Sequence, residues 1–312
     1  MTPTHTLHAA QSHAGWDRDL PPVLTVAPGA SIELEALDAS GGQLDPSSEA
    51  SALTALDMGA INPTTGPVFV EGAQPGDALR IRIEALTPVR PWGWTALIPG
   101  FGLLADEFPE PALQHWTLPE HGPIELDGVA AVPARPFPGT VGLAPAEPGP
   151  HSVIPPRRVG GNLDTRDLAA GSVLTLPVEV EGALLSIGDT HAAQGDGEVC
   201  GTAIEAPMRV AVTVDLEAGA APRFPTFETT GPPRDTEVRD GVLATTGVGP
   251  DLREAARDAV RAMIERISAR TGLPPERAYM LASVAADLRI SEIVDLPNVV
   301  VTCALPKAVL LG

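Results

Sequence analysis

Apolar and polar residues alternate along several short stretches of this chain, the pattern of strands with one face in a core and the other towards water. Ile32, Leu34 and Ala36 are interleaved with Ser31, Glu33 and Glu35, and Leu79, Ile81 and Ile83 with Arg80, Arg82 and Glu84. Leu174, Leu176, Val178 and Val180 alternate with Thr175, Pro177, Glu179 and Glu181, and Val210, Val212 and Val214 make a fourth case. Three of these runs follow similar turns, Pro28-Gly29, Pro75-Gly76 and Ala170-Gly171, as strands of sandwiches and barrels commonly do.

The period changes in the C-terminal quarter. Apolar residues at 252, 256, 259, 263 and 267 predict a helix from Asp251 to Arg270, opened by Asp251 with Glu254 three residues on and stopped by Gly272 and Pro274. A second helix is expected from Pro275 to about Ala286, with proline in its first turn, and Asn298 to Leu305 reads as a closing strand. The Pro-rich stretches Pro145 to Pro156 and Pro222 to Pro233 suggest boundaries near 150 and 220. They delimit an N-terminal β domain (1–150), a central β segment carrying the chemistry (151–220) and a C-terminal α+β part (221–312). The expected fold class is mainly β with an α+β C-terminal part: a β-sandwich or barrel-like core of alternating strands, and two C-terminal helices.

Composition supports a turn-rich β protein, because 31 glycines and 34 prolines among 312 residues punctuate nearly every element. With 44% hydrophobic and 19% charged residues the chain can bury a sizeable core. The 40 acidic against 20 basic residues give a net charge of −20, which argues against nucleic-acid or anionic-membrane partners. No apolar run approaches the ~18 residues a membrane helix needs. The N-terminal residues Met1 to His5 carry no apolar stretch, and the two cysteines, Cys200 and Cys303, lie far apart. A cytoplasmic location is therefore expected.

The densest polar cluster is the run 188–198, GDTHAAQGDGE. If Leu185 to His191 is extended, Asp189 and His191 project from one face, and Glu198 across a glycine-bearing turn adds a second carboxylate. Mixed nitrogen and oxygen donors suit zinc or a similar divalent ion. A polar loop with Asp and Gly at tight turns fits the same spacing. In a second cluster, 155–167, Asn162 and Asp164 are also two apart and follow Gly160-Gly161; by itself this reads first as an Asx turn entering the next strand.

The runs 154–157 (IPPR), 160–164 (GGNLD), 188–198 and 278–291 (AYMLASVAADLRIS) together resemble the acetamidase/formamidase family. Trp16 with 21–26 (PPVLTV) and 62–73 (NPTTGPVFVEGA) look like that family's N-terminal landmarks. The resemblance spans nearly the whole chain. It implies a mostly β fold, hydrolysis of small amides to a carboxylate and ammonia, and a divalent metal, zinc by its chemistry. Members of the family also act on lactams and other amides. Within that frame Asp189 and His191, with Asp164, are expected to hold the ion. Glu198 is expected to move the proton, and Asn162 to hydrogen-bond the amide or its developing oxyanion. A small amide substrate and a homo-oligomeric assembly complete the expectation. A cyclic-amide hydrolase on the same site and a non-catalytic β-sandwich that captures a small ligand are the alternatives.

Other candidates rank lower. Cys200, two residues after Glu198, suggests a thiolate amidase, but such an enzyme also needs a lysine. The only lysine is Lys307, so a buried structural cysteine is the expectation. Among the histidines only His13, near Trp16, is expected to reach a pocket wall; His115, His121 and His151 read as surface loop residues. The aromatic loop 92–104 is read as interface or core packing ahead of substrate contact.

Overall fold

The computed structural model describes residues 3–310 except 103–104, 106–108, 127–129, 133, 196, 199, 231–240, 274, 276–277, 279–285 and 308–309. Two large sheets carry the described fold. The nine-stranded sheet runs in the order His5–Leu7, Ser31–Ala36, Met208–Glu217, Ala78–Pro88, Val173–Pro177, Thr226–Glu228, Val242–Gly249, Val299–Pro306 and Asp287–Glu292. It draws strands from all three stretches delimited near 150 and 220. The six-stranded sheet is ordered Gly160–Asn162, Phe137–Gly142, Leu185–His191, Thr64–Val70 and Ser12–His13, with Leu24–Val26 also paired to Thr64–Val70.

The alternation read from the sequence is the inner face of this sandwich. Ile32, Leu34, Leu79, Ile81, Ile83, Leu174, Leu176, Val210, Val212 and Val214 all enter one buried cluster. There they meet Val68, Val70, Val141, Leu185 and Ile187 of the other sheet. Gly29, Gly76 and Gly171 of the three launching turns have φ of 87°, 98° and 91°, the left-handed backbone that glycine adopts without a Cβ penalty.

The helix Leu252–Thr271 starts on Asp251, whose carboxylate accepts from the Glu254 N–H at 2.9 Å, and ends at Gly272 with φ 72°. Its buried stripe is Ala255, Ala259, Met263 and Ile267, whereas Leu252 is 39% exposed. The expected stripe thus turns by one position at its N-terminal end, because the helix docks through its small residues. A Cβ on Gly247 would strike the main chain of Ala255 and Ala259, and Thr245 Oγ1 donates to the Ala259 carbonyl at 2.7 Å. The closing strand, Val299–Pro306, is nearly all apolar because both its faces are covered. Val300 and Ala304 enter the sandwich core, while Val299, Val301, Cys303 and Leu305 meet the helix. The second helix expected over 275–286 falls mostly outside the described residues. Among the described residues no helix is long and apolar enough to cross a membrane.

Candidate active site

Strand Leu185–His191 is buried along its whole length between Phe137–Gly142 and Thr64–Val70. Near its end Asp189 takes φ 48°. Opposite lies Gly139, where an added Cβ would collide with Asp164 Oδ1 and come within 2.7 Å of His191 Cε1 and 2.8 Å of Asp189 Oδ2. The missing side chain at Gly139 is therefore what lets three polar groups converge. The Gly139 carbonyl also accepts from the N–H groups of Leu163 (2.9 Å) and Asp164 (3.2 Å), which fixes the turn where Asp164 adopts φ 41°. Asn162, paired with Thr140 across the sheet, accepts from the Thr140 hydroxyl and donates from Nδ2 to Asp295.

The loop after the strand returns two more acids. Glu198, with φ 45°, accepts at its carbonyl from the Gly201 N–H at 2.7 Å. Glu205 bridges to both His191 and Trp94 through main-chain pairing, and its Oε1 accepts from the Ala203 N–H at 2.8 Å. The 1% exposed His191 ring stands edge-on to Phe137, with centroids 5.0 Å apart. Its Nε2 is 3.2 Å from both Asp189 Oδ1 and Glu205 Oε2, and its Nδ1 is 3.9 Å from Asp164 Oδ1. Two overlapping donor sets result, Asp164, His191 and Glu198, and Asp189, His191 and Glu205, each with its donor atoms within 4.8 Å of one another. The sequence-derived trio of Asp164, Asp189 and His191 is thus brought together around Gly139, with its two carboxylates facing different ring nitrogens.

Such a cluster is costly without a cation. Both Asp164 oxygens, His191 Nδ1 and Glu205 Oε2 are buried and accept or donate no hydrogen bond, although buried polar groups are normally paired. Burial, then the charges of Glu198, Asp189 and Asp295, push Asp164 well above the usual carboxylate range. Burial likewise raises Glu198, reinforced by Glu205, Asp295 and Asp189 against the opposing pull of His191. Burial carries Glu205 and Asp295 up to about 7. At His191 burial lowers the imidazole pKa, but Glu205 and Asp189 outweigh it and hold the ring well above its ordinary value. An excess of buried acid around one imidazole, with orphaned donor atoms, fits a divalent ion.

A cavity of about 230 Å³ opens above this floor, lined by Asn162, Asp164, Asp189, Glu198, Glu205 and Asp295. Its apolar lining includes Leu56, Met58, Ile61, Trp94, Ile98, Phe101 and Ile154. The aromatic stretch begins as a strand, Trp92–Leu97, in which Trp92 and Trp94 pack in a satellite core as expected, while Trp94 and Ile98 to Phe101 also line the cavity. Residues 103–104 lie outside the described set.

Several lesser expectations are corrected. Cys200 is only half-buried, its thiol donating to the Thr202 carbonyl at 3.3 Å; Cys303 is the buried one. His13 does not line the cavity, since its ring is held by the Gly15 carbonyl (2.8 Å) and Ser186 Oγ (2.9 Å). His115 is no loop residue: it sits in strand Ala112–Thr117, taking a hydrogen bond from Trp92 Nε1 at 3.1 Å. His151 is half-buried and pairs with Trp16 through the main chain, and the Trp16 ring in turn fills the space that Gly142 leaves open. Glu205, Asp295 and Gly139 were not singled out by sequence. The available signal was a lone acid in an apolar run, as in Ala203-Ile204-Glu205-Ala206 and Ile293-Val294-Asp295-Leu296, which is rare unless the acid has a buried task.

Fold and site define a β-sandwich protein with a small-molecule cavity floored by a buried acid and histidine cluster fit for a cation. The chain belongs to the acetamidase/formamidase family, whose model matches residues 2–153 and 148–311. It is 29% identical to a formamidase of Methylophilus methylotrophus over 96% of this chain and 89% of that protein. It is 30% identical to an acetamidase of Mycolicibacterium smegmatis, covering 68% of this chain and 67% of the relative. The crystal structure of an acetamidase from Bacillus halodurans superposes with a TM-score of 0.87 at 31% identity, over 96% of each chain.

Proposed function

We propose that this chain is a metal-dependent amidohydrolase that converts small neutral amides to a carboxylate and ammonia. The observation that carries the reading is the convergence of Asp164, Asp189 and His191 over Gly139, with both Asp164 oxygens and His191 Nδ1 buried and unpartnered, beside a cavity of small-molecule size. Family membership and the names of the relatives support the same chemistry. Those three residues would hold the ion, and their mixed nitrogen and oxygen donors suit zinc. A divalent ion there supplies polarisation of the amide carbonyl and a lowered pKa for water.

The remaining steps belong to side chains. Glu198, raised well above the usual carboxylate range by burial, takes the proton from water and returns it to the departing nitrogen, which cannot leave as an anion. Asn162 Nδ2 gives one hydrogen to Asp295 and keeps a second for the substrate oxygen. Asp189 Oδ1 accepts from Nε2 of His191 at 3.2 Å and so fixes the ring's orientation, with Nδ1 turned towards Asp164.

The test is ammonia release from formamide and acetamide by purified protein, with elemental analysis in parallel. Turnover that disappears on exhaustive chelation and returns with zinc supports the reading. Full activity in metal-free protein overturns the metal's role, and amide binding without turnover points instead to a ligand-capturing sandwich.

A further inference from the structure

The cavity is large for the smallest amides. An apolar protein cavity of ~150 Å³ accommodates benzene, so acetamide, with four heavy atoms, fills only a minor part of the 230 Å³ here. Beside the acids, Asn162 and the neutral Ser40, Asn62 and Thr202, the lining is apolar, with Leu56, Ile61, Ile98, Phe101 and Ile154 among it. No lysine or arginine is among the described lining residues, so nothing there receives an anionic group at the far end. The Phe101 ring lies where a Cβ of Gly201 would stand, and the Gly201 N–H donates to the carbonyl of Glu198. The apolar wall and the proton-moving residue therefore meet through one loop contact.

We infer that the site is shaped for primary amides with an apolar acyl group of about six carbons, straight or aromatic, and turns them over more efficiently than acetamide. This deepens the amidase reading and rests on it. The reaction is unchanged: the oxygen of water bonds to the carbonyl carbon, the carbon–nitrogen bond breaks, and both protons of the water end on nitrogen, giving the carboxylate and ammonium. The acyl chain stays unreacted and contributes only burial, at about fourfold per methylene.

The experiment is a kcat/KM series over acetamide, butanamide, hexanamide and benzamide with the zinc-loaded protein, alongside 6-amino-6-oxohexanoate as an anionic match for hexanamide. The expected result is a rise of about 10²-fold from acetamide to hexanamide, with about 250-fold the limit if all four added methylenes are fully buried, and at least a tenfold loss for the anion. Ile98→Trp, which places a larger side chain at a lining position, should lower the hexanamide-to-acetamide ratio about tenfold. A flat or falling series with acetamide still hydrolysed overturns this inference and leaves the amidase reading standing. Failure to hydrolyse any of the amides overturns both. A wild-type ratio in folded Ile98→Trp protein also counts against the acyl assignment, and should that variant not fold, the wild-type series decides.

Discussion

Gln194 Nε2 donates to the main-chain carbonyl of Asp164 at 2.7 Å, joining the turn that presents one carboxylate to the loop that carries Glu198. Arg166 closes the link from the other side, donating to the Gln194 carbonyl at 3.3 Å. Since such supporting contacts orient ligands, Gln194→Leu is expected to weaken zinc binding about 10- to 100-fold. Competition with a chromophoric chelator measures this, and unchanged affinity would confine Gln194 to the fold.

Glu198→Gln keeps shape and removes the titratable proton. We expect turnover to fall about 10²-fold or more with zinc content unchanged. Because Glu198 lies within ligand distance of Asp164 and His191, the metal assay carries as much weight as the rate: a metal-free variant would make Glu198 a ligand.

Gly139→Ala tests the convergence itself. Gly139 has no left-handed backbone, so an alanine there meets no conformational penalty and acts only through its methyl group. That methyl would collide with the Asp164 carboxylate and crowd His191 and Asp189, an overpacking cost of about 1–3 kcal/mol. Zinc stoichiometry is expected to drop well below one, with far-ultraviolet circular dichroism unchanged. A variant that binds zinc with wild-type affinity contradicts the placement.

The raised carboxyls give metal-free protein an inverted pH response. Unfolded Asp and Glu lose their protons near pH 4, whereas Glu205 and Asp295 are pushed up to about 7 and Glu292 to about 8. Between those values the folded chain holds protons that the unfolded chain has released, so stability falls as pH rises through that window. The slope is about 1.4 kcal/mol per pH unit for each net proton. Zinc, which needs ionised ligands, should flatten the slope. Thermal unfolding at pH 5, 6 and 7 with chelator and with zinc checks this; a chelated Tm that climbs across the series would refute it.

How much of this was legible in the sequence depends on the range of the interaction. Ile32, Leu34 and Ala36 declare a strand because one face is buried and the period is two. Asp189, His191, Asp164 and Asn162 were visible because each pair sits two residues apart beside glycines. Asp295 was not, because it meets Asn162 across 133 positions and its neighbours give no spacing to read. Glu205 was hidden for the same reason: it reaches His191 only where the chain crosses back beside Trp94. The stripe of Leu252–Thr271 was misplaced at its start because the contact with Gly247, a residue of another element, decides which face docks.

Among the described residues six non-glycine positions have left-handed backbone, and four of them, Asn62, Asp164, Asp189 and Glu198, line the active-site cavity. This bears on how the site should be dissected. Asparagine and aspartate tolerate that conformation better than other side chains carrying a Cβ, so Asp164→Asn and Asp189→Asn remove charge and leave the main chain at ease. Alanine at the same positions removes the carboxylate and also adds a reason for the turn to relax. An alanine scan here would report two losses as one, and would overstate the worth of each ligand by whatever the backbone gives up.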